Sequence, residues 1–85
     1  MDEWIDAFAT SLGEEPSSPR ETGAVLKLAR EVAHRVERRL APVSSFIAGV
    51  HVGRVAAEGG SREAALAEAL EAALAMLPPE SGSTG

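Results

Sequence analysis

Apolar residues recur at three- and four-residue intervals through most of the chain, and the interruptions fall at glycine, proline and serine. That spacing predicts helices rather than strands. Trp4, Ile5, Phe8, Ala9 and Leu12 form one apolar face of a first helix that Asp2 can cap and that runs to about Leu12. Gly13 is a fitting stop, and Glu14-Glu15-Pro16-Ser17 reads as loop. The second helix has the clearest start: Ser18-Pro19-Arg20-Glu21 joins a serine cap, a proline at the first helical position and a glutamate at the third. Val25, Leu28, Ala29, Val32, Val36 and Leu40 then cluster within about 120° of arc. Pro42 ends this helix near Leu40, since the residue before proline avoids helical angles.

Ser44 or Ser45 can cap a third helix reaching about Glu58, with Gly59-Gly60 as its stop. It is apolar almost all round, through Phe46, Ile47, Ala48, Val50, Val52, Val55, Ala56 and Ala57, and such helices are normally buried on most sides. Gly49 and Gly53 lie four apart and would admit a close neighbour. Ser61 caps a fourth helix with Leu66, Ala69, Leu70, Ala73, Leu74 and Leu77 on its core face, stopped by Pro78-Pro79. The expected fold is an all-α, small four-helix bundle with a long second helix and a largely apolar third. Residues 1–79 form one domain, and 80–85 are a polar tail expected to be disordered. The expected core is Trp4, Ile5, Phe8, Val25, Leu28, Val32, Val36, Phe46, Ile47, Val50, Leu66, Leu70 and Leu74.

Composition narrows the chemistry. With 85 residues and no cysteine, the chain has neither disulfide nor thiolate metal site, and two histidines cannot build a histidine cage. A domain this small must pack well or gain core by association, and the surplus apolar surface of the third helix predicts a homodimer. No stretch approaches the roughly 20 apolar residues of a membrane span, and acids occupy the N-terminus where a signal peptide would be basic. A cytoplasmic protein without membrane contact is expected. The net charge of −5 argues against nucleic acid as a partner. That charge is unevenly spread: residues 1–19 carry −5, residues 20–62 carry +4 and residues 63–85 carry −4.

The basic middle holds the candidate ligand site. His34 and Arg38 are i, i+4 neighbours on the face of the second helix opposite its apolar stripe, and Glu31 is placed to hold either. Beyond Pro42, the start of the third helix would offer free N–H groups, a favourable dipole and the hydroxyls of Ser44 and Ser45 to an anion. The same residues also fit purely structural roles, with Arg38 and Arg39 complementing a helix C-terminus and a serine acting only as a cap. His51, Arg54 and Glu58 form a second polar group, read as a solvent edge or a salt bridge to a neighbouring helix. No G-x-S-x-G elbow, P-loop or dinucleotide-binding glycine pattern occurs, so no self-sufficient enzyme, cofactor or metal is expected.

Leu28-Ala29-Arg30-Glu31-Val32-Ala33-His34, then Arg38, Ala41-Pro42-Val43-Ser44-Ser45-Phe46, Gly49 and Gly53, resembles a family of short actinobacterial helical domains. The likeness covers most of residues 2–79 and includes Asp2-Glu3-Trp4-Ile5. Such domains occur alone or fused to the C-terminal end of molybdenum-cofactor guanylyltransferase-like proteins. Many fused members have proline after the arginine where this chain has Arg39, which implies a slightly longer second helix here. The resemblance implies a non-catalytic accessory module in molybdopterin biosynthesis or insertion. Its implied partners are a nucleotidyltransferase or another molybdenum-cofactor protein, and a phosphorylated pterin or nucleotide. The alternative is a structural dimerisation module without a ligand.

Overall fold

Two serine side chains fix where two of the helices begin. Ser18 Oγ accepts from the Glu21 N–H at 3.0 Å while Glu21 Oε1 accepts from the Ser18 N–H at 2.8 Å, a complete capping box. Ser61 Oγ accepts from the Ala64 N–H at 3.1 Å. Two glycines with positive φ, Gly13 at 76° and Gly59 at 94°, end two others. Each sits at the left-handed position of a Schellman turn: Glu14 and Gly60 N–H groups reach back to the Ala9 and Val55 carbonyls, both at 2.9 Å. In the computed structural model, which describes residues 2–79, the elements are α1 (Asp2–Ser11), α2 (Pro19–Arg35), α3 (Leu40–Ala57) and α4 (Arg62–Met76). No strand occurs among the described residues, so the fold is all-α, as the periodicity predicts. The tail expected at 80–85 lies outside the described residues.

The α2–α3 junction departs from expectation. α2 stops at Arg35, not Leu40, with the Val36 N–H closing on the Val32 carbonyl at 2.9 Å. Pro42 explains this. In a helix continuing through position 42 its ring would strike the carbonyl of Arg38. With the break placed upstream, Pro42 falls in the first turn of α3, where its missing N–H removes no helical bond. Ala41 adopts helical geometry in spite of the following proline because it is buried and its N–H bonds the Arg38 carbonyl at 3.1 Å.

The core is smaller than the pattern predicts. Leu28, Val32, Ala48 and Leu66 pack together at the centre of α2, α3 and α4, with Val25, Leu70 and Leu77 partly buried around them. Leu74 is also partly buried. α1 packs closely on none of the three. Trp4 is 69% exposed, and Ile5, Phe8 and Leu12 are exposed as well. Val36, Phe46, Ile47 and Val50, all expected inside, also face out. Identical spacing produces both outcomes, because a helical stripe is buried only where another element meets it. The arrangement is therefore a three-helix core with α1 standing off it, and the radius of gyration is 13.9 Å against about 12 Å for a compact chain of this length.

α3 carries most of the surplus. Its 18 residues have a mean hydropathy of 1.3 and are long and apolar enough to cross a membrane by length and composition, which corrects the expectation that no stretch approaches a span. One face nonetheless seats Ala41 and Ala48 in the bundle, against both α2 and α4.

Candidate functional site

The residues expected to bind an anion are arranged differently from the sequence reading. Ser44 and Ser45 cap nothing: α3 begins after Arg39, and both hydroxyls donate to the Ala41 carbonyl, at 2.7 and 3.1 Å. The N–H groups at that helix start are also engaged, Leu40 with the Glu37 carbonyl and Ala41 with that of Arg38, each at 3.1 Å. Pro42 contributes none. Glu31 pairs with Arg35 at 3.0 Å rather than with His34 or Arg38, and Arg30 stands 3.8 Å away. His34 and Arg38 are exposed, and Arg38 lies in the α2–α3 turn instead of the last turn of α2. The turn thus presents Arg38 and Arg39 to solvent, with Arg39 Nε on Glu37 Oε1 at 2.7 Å.

A more extensively hydrogen-bonded polar group lies at the other end of the bundle, and nothing in the expectations from sequence anticipates it. Glu21, 7% exposed, accepts from Arg62 through both carboxylate oxygens, with Nε to Oε2 and Nη2 to Oε1 each at 3.1 Å. Arg62 Nη1 also donates to the Glu15 carbonyl at 3.4 Å, and Ser18 Oγ donates to Glu63 at 3.0 Å. This clamp ties the α1–α2 loop and the start of α2 to the start of α4. The one signal for it in the sequence is the acidic N3 residue of the capping box, which the fold buries and so forces to find a cation.

Besides the exposed stripe of α1, two apolar surfaces remain open among the described residues. The first is a groove of about 830 Å³ between α3 and α4, floored by Leu28 and Val32 and walled by Val36, Val43, Ile47 and Met76. Met76 is 81% exposed. On its wall His51 Nε2 meets Glu68 Oε1 at 2.8 Å, so the expected polar link from α3 to a neighbouring helix is a hydrogen bond to α4, and Arg54 stands 3.4 Å from His51 Nδ1. The second surface is the side of α3 turned away from Ala48. At 100° per residue Phe46, Val50, Gly49, Gly53 and Ala57 share it. Phe46 is 71% exposed, and a methyl group built on either glycine would meet nothing within 4 Å. No described residue requires glycine at these positions, and each costs a helix interior about 1 kcal/mol relative to alanine.

Chemically, the arrangement offers apolar area and a few surface charges. Among the described residues, no three His, Asp or Glu side chains gather as a metal would need. No curated protein and no solved structure matches the chain. A family model spanning residues 1–83 does match, so the chain belongs to the family described as Domain of unknown function (DUF6457).

Proposed function

We propose that this domain is a non-catalytic interaction module serving molybdenum-cofactor biosynthesis or insertion, and that it works by docking a protein partner on the outer face of α3. The observation that carries the docking part is the exposed run of Phe46 and Val50 beside two unhindered glycines. Monomeric proteins rarely leave a contiguous apolar patch of that kind uncovered unless something binds there. Glycines four apart let a partner helix approach closely, which gives the face a shape as well as an apolar character. The placing in molybdenum-cofactor biology rests on the resemblance carried by Leu28–His34 and Ala41–Phe46. A guanylyltransferase-like protein is therefore the partner to test.

The ligand role of His34, Arg38, Ser44, Ser45 and Glu31 finds less support, because both hydroxyls, the helix-start N–H groups and Glu31 already have partners. The decisive experiment mixes the purified chain with a purified molybdenum-cofactor guanylyltransferase and follows association by calorimetry. Association that Phe46→Glu abolishes supports the reading. No association, or association indifferent to Phe46→Glu, overturns it. Flotation with phospholipid vesicles, lost in Phe46→Glu, would make a lipid surface the occupant of this face and would overturn it as well.

A further inference from the structure

We propose that the groove between α3 and α4 receives α1 of a second copy, reciprocally, so that two chains form a two-fold dimer by exchanging their first helices. The inference uses a different surface from the outer face of α3 and goes beyond the reading above. It starts from two unsatisfied elements in one chain. α1 is an amphipathic helix of 10 residues whose Trp4 and Phe8 stack at 5.5 Å and are both exposed. The groove is apolar, open and floored by the two best-buried residues of α2. A helix of this length extends about 15 Å, and the groove follows α4 from Glu68 to Leu77, about 14 Å at the same rise.

Charge favours the same match. Beside its apolar stripe α1 has Asp2, Glu3 and Asp6 and no base. The α2–α3 turn at one end of the groove presents Arg38, with Arg39 paired to Glu37, and Arg54 lies along its α3 side beside His51, which engages Glu68, an acid on the groove wall. Opposite potentials would steer α1 in and fix its direction.

The occupant is a second copy because the chain's own α1 is held away. The Schellman turn closes Glu14 on Ala9, and the carbonyl of the next residue, Glu15, accepts from Arg62 at 3.4 Å at the end of the bundle remote from the groove. No free residue separates the two anchors, so α1 cannot swing into its own groove without releasing one. A second copy fills the groove with both intact. Area agrees: Trp4 and Phe8 of α1 and Ile47 and Met76 of the groove wall are all exposed, and an interface of ordinary size covers roughly 800 Å² per partner.

The chain has no cysteine, so single substitutions report position cleanly. Phe8→Cys and Ile47→Cys chains, mixed and oxidised, should give a covalent heterodimer, and light scattering of the unaltered protein should show a dimer. Trp4 is the sole tryptophan, and its emission should move to the blue as concentration rises through the dimer range. Trp4→Ala should weaken association by roughly 100-fold or more, since a central aromatic anchor is lost twice per dimer. The proposal is overturned by a disulfide that forms only within single chains of the Phe8→Cys/Ile47→Cys double variant. It is equally overturned by a monomer at all concentrations with Trp4 emission unchanged. Phe46→Glu should leave cross-linking and dimer mass unaltered while removing guanylyltransferase association, so the two readings fail separately.

Discussion

Arg62 holds the carboxylate of Glu21 through two nitrogens, each 3.1 Å from an oxygen, across 41 residues of sequence. The pair does more than neutralise a charge. Glu21 uses Oε1 for the capping box as well, so one carboxylate starts α2, orients α4 and, through Arg62, fixes the α1–α2 loop. Removing Arg62 leaves that carboxylate buried with only the Ser18 N–H. Arg62→Ala should therefore destabilise the fold by about 2–3 kcal/mol, below the usual range for breaking a buried pair because Arg62 is a third exposed. Arg62→Lys should cost less, since it keeps the charge and loses the two-pronged geometry. Urea unfolding of both variants measures the difference.

The core predicts an uneven response to truncation. Leu28, 2% exposed, touches the centre of all three packed helices, and Leu28→Ala should cost about 2–5 kcal/mol. That is a large part of the stability of so small a domain. Val36→Ala, on the same predicted stripe yet exposed, should change dilute-solution stability by less than about 1 kcal/mol. Equal losses at the two positions would mean that the stripe is continuous and that α2 extends past Arg35.

The contrast shows where sequence is informative. Helix starts and stops at Ser18, Ser61, Gly13, Gly59 and Pro78 are legible because each acts on backbone groups within a few residues of itself. Whether a stripe is covered is not local. Trp4–Phe8 and Leu28–Val32 have the same spacing, and only the path of the chain after Gly13 separates an exposed pair from a buried one. The anion site fails for a related reason. Its geometry depends on the register of α3, and treating Pro42 as the end of α2 instead of a first-turn residue of α3 misplaces the helix start from Arg39 to Ser44 or Ser45, about one and a half turns. Arg62 is invisible as a clamp because nothing near it in sequence names Glu21.

The glycines give a test in which stability and binding separate. Gly49 and Gly53 are helical with open space around them, so alanine at either should raise stability by about 0.5–1 kcal/mol. The added methyl groups should meanwhile weaken partner binding on the outer face of α3. Gly59→Ala should lose about 1–2 kcal/mol, because its φ of 94° is strained for any side chain. Thermal melting ranks the three variants, and titration with the partner shows whether the stabilised ones bind less.

Arg38 distinguishes a pocket from a surface charge. Its guanidinium is exposed, and the N–H groups and hydroxyls that would complete an anion pocket around it already have acceptors. It should therefore act at a distance, as one of the cations that meet the acids of a docking α1. Arg38→Ala should leave the melting curve within about 0.5 kcal/mol of the unaltered protein. Self-association should weaken by roughly 2–5-fold at low ionic strength, consistent with an exposed pair worth up to about 1 kcal/mol. The difference should disappear near 1 M salt, where the screening length falls to about 3 Å. Inorganic phosphate, nucleotides and pterin phosphates titrated to millimolar levels should give no saturable signal. Saturable binding of a pterin phosphate, lost in both Arg38→Ala and Ser45→Ala, would establish the pocket instead. It would also require the Ser45 hydroxyl to turn away from the Ala41 carbonyl when the ligand arrives, a change visible in the backbone resonances of Ala41 through Ser45.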